Sequence, residues 1–163
     1  MSEIETLIGN KKYNKSFGHD YPTINLVDMI GNRVPPHSKE AEISVLGAMM
    51  LDKGAVAKAV EMLETDSFYY EAHKTIFDIM CSMFERSINI DIYSVVEELH
   101  RRKLLDSVGG TYYLSEINNS IATSANIDYH SLIVQEKFLK RLLIKSSGQI
   151  LSNCYEDSRD ALE

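Results

Sequence analysis

Apolar residues recur along most of this chain at helical rather than strand spacing. Ile43, Leu46, Gly47 and Met50 fall at i, i+3, i+4 and i+7, one stripe of a helix. Pro35 and Pro36 stiffen the approach to that helix, and Ser38 is suited to cap it. Glu40 and Glu42 lie near the positive end of its dipole, and Asp52 closes the run. Val56, Ala59, Val60 and Leu63 predict a second short helix, and Thr65-Asp66-Ser67 a turn and cap. From Phe68 to about Arg86 the positions Tyr69, Ala72, Ile76, Ile79, Met80 and Met83 predict a third. After the loop Ser87–Ile90, Asp91 caps a fourth helix carrying Ile92, Val95, Val96 and Leu99, which ends in His100-Arg-Arg-Lys103. Leu104 and Leu105 return to the core before the break Asp106-Ser-Val-Gly-Gly110.

The pattern then lengthens. Tyr113, Leu114, Ile117 and Ile121 predict a short helix, followed by the turn Ala122–Asn126. From Ile127 to Tyr155 one helical pattern runs without proline, with only Gly148 inside it. Tyr129, Ile133, Leu143, Ser146, Ile150 and Cys154 form its stripe, widened by Leu132, Leu139 and Leu142. The expected class is all-α: a compact helical head, 35–105, then a protruding helical hairpin with one long helix, 106–155. A short partner helix cannot cover that much apolar surface. Either a second chain covers it, the reading favoured here, or it packs back on the head. Residues 1–34 read as a flexible N-terminal arm, its charge balanced and only Ile24–Ile30 apolar. It is either a leader without a role or a docking arm for a neighbouring subunit. The polar residues 156–163 read as the start of a linker.

Charge narrows the partners. The net charge is −7, too acidic overall for tight binding of nucleic acid through phosphate neutralisation. The head from Ser38 to Val108 holds thirteen acidic and eight basic residues, which suits a basic protein partner. The exception is a basic face on the long helix, Lys137, Lys140, Arg141 and Lys145. It is either a solvated surface or a face toward single-stranded DNA or an acidic partner. Catalytic chemistry is scarce. There is no phosphate-cradling G-x-x-x-x-G-K-[ST] run, and Gly109-Gly110 reads as a helix-entry turn. None of the five histidines has metal-ligand spacing, so no cofactor or metal is expected in this fragment. His73 reads as a satisfied histidine at the core edge. Cys81 and Cys154 read as free thiols in a reducing compartment. With no membrane-length apolar run and no signal peptide, the cytoplasm is the expected location and no membrane partner is expected.

Several stretches together are highly specific. The run Pro35-Pro-His-Ser-Lys-Glu-Ala-Glu-Ile-Ser-Val-Leu-Gly-Ala-Met-Met-Leu-Asp52 resembles the start of the N-terminal domain of DnaB-type replicative DNA helicases. The resemblance continues through Phe68-Tyr69, Ala72-His73, Ile76-Phe77 and the Asp91–Val95 helix. It is strong again at Leu104, Val108-Gly-Gly110 and Tyr113-Leu114, and closes with Ala125-Asn-Ile127, Tyr129, Ile133-Val134, Glu136, Arg141 and Leu143-Ile144. It implies a collar domain on a hexameric, ATP-dependent DNA-unwinding enzyme, paired through its hairpins. Tyr113, Leu114, Ile117, Tyr129, Ile133 and Leu142 are then candidates for the dimer interface. It also implies docking of primase and of a helicase loader, with weak or indirect contact to single-stranded DNA. ATP and Mg would belong to a motor domain absent here, so this fragment is expected to have no enzymatic activity. The arm before Pro35 is longer than the family pattern, and the turn before Asn126 lacks a proline often found there. A stand-alone helical adaptor, such as the helicase-binding region of a primase, is the alternative; the Pro35–Asp52 run favours the helicase.

Overall fold

A computed structural model describes residues 33–155, so residues 1–32 of the arm and the final polar residues lie outside the described part. Six α-helices and two single 3₁₀ turns follow in order: α1 (Lys39–Leu51), α2 (Lys53–Met62), the turn Thr65–Ser67, α3 (Glu71–Glu85), α4 (Ile92–Arg101), the turn Asp106–Val108, α5 (Gly110–Asn119) and α6 (Ile127–Tyr155). No strand occurs among the described residues. The class is all-α, as the periodicity predicts.

The first helix is not one-sided. Val45, Leu46, Ala48, Met49 and Met50 are all buried beside Gly47, so most of its circumference is covered. A helix apolar all round is a core element, and α1 packs against α2, α3, α5 and α6. Gly47 permits the closest of these contacts. A Cβ there would lie 2.8 Å from the Ile117 carbonyl oxygen and 3.0 Å from the Ile121 side chain.

Helix ends follow side-chain chemistry. Ser38 Oγ accepts the Ala41 N–H at 3.3 Å, and Asp91 and Ser94 form a reciprocal capping box. Asp52 does more than close α1. It accepts the Gly54 N–H at 3.0 Å as the cap of α2 and the Ser124 hydroxyl at 3.0 Å, which ties the turn before α6 to this corner. Gly109 adopts φ 96°, the left-handed conformation the turn requires. Two helices end on non-glycine residues in that region, Ser87 (φ 57°) and Lys103 (φ 59°). In both, the next N–H reaches back five residues, Ile88 to Met83 O and Leu104 to Leu99 O, each at 2.9 Å, the hallmark of a Schellman motif.

Two expectations shift. The third helix begins at Glu71, because Phe68–Tyr70 is held extended, with the Tyr69 N–H bonded to Glu42. Nor does the hairpin stand apart from the head. Val108, Leu114, Ile117, Ile127 and Val134 belong to the same apolar core as α1–α4. The first half of the long helix packs back on the head, while its second half carries a row of exposed apolar side chains.

Candidate functional site

The long helix has two working faces. Ile127, Ser131 and Val134 are buried, and Phe138 and Arg141 continue that face half-buried toward the turn Thr65–Ser67. On the opposite side Leu132 (55% exposed), Leu139 (53%), Leu143 (67%) and Ile150 (64%) lie bare, with Tyr129 beside them. At 100° per residue these positions fall within one ridge. Their spacings of seven, four and seven residues are the alternation of a helix-pairing seam. Glu136 and Ser146 interrupt the seam. Because apolar residues line two opposed faces, the sequence shows a stripe only weakly. The predicted stripe is largely the solvent ridge, and the face that meets the head went unread.

The candidate interface residues therefore separate. Leu114 and Ile117 are wholly buried in this chain's own core and present no surface to a partner. Ile133 and Tyr113 are half-buried against the same core. Tyr129 and Leu142 are exposed. Leu132, Leu139, Leu143 and Ile150, four residues of the predicted stripe, are exposed.

The basic face is also divided. Lys140 is paired with Glu136 one turn before it. Arg141 faces inward: Nη1 donates to Pro36 O at 3.0 Å, and Nη2 donates to Ser67 O at 2.7 Å and Asp66 O at 3.2 Å. Its guanidinium lies over the Tyr69 ring (5.8 Å), and burial lowers its pKa. Lys137 and Lys145 remain without a carboxylate partner among the described residues. Of the four cations read as one face, Lys140 and Lys145 are exposed, Lys137 is half-buried and Arg141 turns to the head.

Beneath Arg141 runs a polar chain that sequence reasoning missed. Glu42 is buried. It accepts the Tyr69 N–H at 2.8 Å, and its other oxygen lies 2.6 Å from His73 Nδ1. His73 is fully buried, and its Nε2 lies 2.6 Å from the Tyr113 hydroxyl. Burial, then the negative charge of Glu42, raises the Tyr113 pKa. This chain links α1, α3 and α5. The sequence pointed to His73 as a satisfied histidine at the core edge, but not to Glu42 or Tyr113 as its partners. An open groove of about 630 Å³ beside Tyr113, lined by Lys39, Ile43, Tyr112 and Glu116, carries both signs of charge and selects no ligand class.

The cluster at the end of α4 centres on a buried carboxylate and is structural in character. Glu98 receives Arg101, Arg86 and Arg102, each with a hydrogen bond of 2.7–2.9 Å. These bonds, Arg101 first, hold its carboxyl down at about 2. Cys81 is half-buried, and burial together with Asp78 and Glu85 pushes its thiol up to about 11. Among the described residues no three His, Cys, Asp or Glu side chains gather as a metal site, and no helix is long and apolar enough to cross a membrane.

Six helices, four of them packed on a central α1 and the last continuing past the core as an apolar ridge, define an all-helical domain whose distinctive open surface is one helix face. A family model described as the DnaB-like helicase N terminal domain matches residues 34–136. The replicative DNA helicase DnaB of Geobacillus stearothermophilus is 39% identical over 83% of this chain and 30% of its own length. The replicative DNA helicase DnaC of Bacillus subtilis is 39% identical over 80% of this chain and 29% of its own. The crystal structure of the N-terminal domain of DnaB helicase from Mycobacterium tuberculosis matches with TM-score 0.73 at 36% identity, over 77% of this chain and 91% of that one. The chain belongs to the DnaB-like helicase N-terminal domain family. It spans less than a third of the length of these curated relatives.

Proposed function

We propose that this domain is the collar module of a replicative DNA helicase: it assembles with copies of itself and receives other replication proteins. The observation that carries this reading is the exposed seam Leu132, Leu139, Leu143 and Ile150, on the side of α6 that faces away from the head. An apolar row at pairing spacing is covered when a second helix lies along it. The partner that brings the same surface at equal concentration is a second copy, joined about a two-fold axis. Such pairs would build the hexamer of the whole enzyme, whose motor would bind ATP and Mg and unwind DNA. Primase, and a helicase loader, would dock on the acidic head. With Lys140 and Arg141 engaged within the chain, contact with single-stranded DNA through this helix is weak or indirect.

Leu143→Asp tests the assembly step. Leu143 is two-thirds exposed, so an aspartate there leaves the core alone, whereas Ile133→Asp would also disturb the head. By analytical ultracentrifugation, the parent is expected to sediment as a dimer or larger species and the variant as a monomer with unchanged helical content. A parent that stays monomeric at high concentration, or a variant of unchanged mass, refutes pairing through this face.

A further inference from the structure

Arg141 is the last α6 side chain with a hydrogen bond to the head among the described residues. Up to Val134 the helix is held by buried apolar contact. From Leu142 to Ile150 every residue is exposed. Between lie seven residues, about 10 Å of helix, in which the packing loosens. At their end one guanidinium reaches three carbonyl oxygens on two separate segments, Pro36 before α1 and Asp66 and Ser67 in the turn before α3. Rings adjoining the two segments stack on each other: His37 lies on Tyr69 at 4.4 Å with a 13° interplanar angle, and Tyr69 carries the guanidinium on its ring.

We propose that Arg141 is a strap that fixes where α6 leaves the head, and thereby sets the position of the open apolar ridge beyond it. The geometry favours a strap over a solvated cation. A planar fork with widely spaced, fixed donors holds carbonyls on two segments at less entropy lost per bond than the rotating donors of a single ammonium. Glu42 lies close enough to favour its charge, and Phe138, one turn earlier, lies 5.6 Å beneath it. Without the strap, the last firm anchor retreats to Val134, and the ridge from Leu139 onward hangs on a helix free to swing or fray. The consequence for assembly rests on the pairing reading given above; the strap itself does not.

The test is amide hydrogen exchange on the whole chain, comparing the parent with Arg141→Gln and Arg141→Lys. With Arg141→Gln, amides 135–145 are expected to exchange about tenfold faster or more, the scale of losing hydrogen bonds to a charged donor. The slow amides of α1 and α3 are expected to stay unchanged, which separates a lost strap from a damaged fold. Arg141→Lys is expected to fall between parent and glutamine, because one ammonium reaches fewer carbonyls. Unchanged exchange at 135–145 in Arg141→Gln overturns the strap. So does a lysine variant equal to the parent, since charge alone would then suffice. Sedimentation of the same proteins reads the other claim separately: a parent that never associates refutes pairing and leaves the exchange result to decide the strap.

Discussion

Replacing Glu42 distinguishes two accounts of why a glutamate sits in the first turn of the central helix. If it only answers the helix dipole, Ala and Gln should cost about the same, some 0.3–1 kcal/mol. In the structure it is buried and holds the Tyr69 N–H at 2.8 Å and His73 Nδ1 at 2.6 Å. Glu42→Ala leaves both donors buried without a partner, each costing about 1–3 kcal/mol, and opens a small void. The expected total for the two unmade bonds and the void is about 3–5 kcal/mol. That is a large share of the ~5–15 kcal/mol that holds an ordinary domain together. Glu42→Gln keeps an acceptor for Tyr69 and turns its amide N–H toward His73. His73 can accept it by carrying its proton on Nε2, toward the Tyr113 oxygen 2.6 Å away. The expected cost is then about 1 kcal/mol. Urea unfolding followed by circular dichroism measures both, with equal m-values confirming a common unfolding transition. An alanine variant within about 1 kcal/mol of the parent, or a glutamine variant as damaged as alanine, refutes the network account.

Two further outcomes follow from the same packing. Gly47→Ala gains about 1 kcal/mol of helix propensity. Its Cβ, however, falls 2.8 Å from the Ile117 carbonyl oxygen, where backbone must move. Overpacking of about 1–3 kcal/mol is expected to dominate, lowering the thermal midpoint by several degrees; a raised midpoint would show that α1 and α5 are not so close. For Glu98, the folded carboxyl is held at about 2 against an ordinary 4.5. Its stabilisation is therefore complete above about pH 5 and is lost as pH falls toward 2. The stability lead of the parent over Glu98→Gln is expected to shrink across that window in acid unfolding curves, and a lead that stays constant there would rule out the arginine cluster as its source.

Local features were legible in the sequence because their causes are local. Ser38 and Asp91 cap with their own side chains, Gly109 bends because it lacks a Cβ, and α6 runs from Ile127 to Tyr155 because nothing interrupts it. What escaped depends on partners distant along the chain. Glu42 meets His73 from 31 residues away, and His73 meets Tyr113 from 40, and no periodicity signals that. Arg141 was grouped with its neighbours in sequence as a basic face, yet Pro36 lies 105 residues before it and draws it inward. Ser87 and Lys103 end helices in a conformation usually left to glycine, so composition gave no warning.

The same distinction explains why the hairpin could not be assigned to the head or to a partner from its pattern alone. Both readings invoke an apolar stripe, and α6 has two. Ile127, Ser131 and Val134 satisfy the head; Leu132, Leu139, Leu143 and Ile150 remain. A helix with one apolar face must choose between its own core and another chain, whereas a helix with two opposed faces can serve both at once. Its inner face is used up by Arg141, and the outer seam continues past that point to Ile150. The residues that stabilise the fold and those available for assembly are thus separated by side as well as by position along one helix. Substitutions on the outer face should therefore change mass without changing stability, and substitutions on the inner face should reduce stability first.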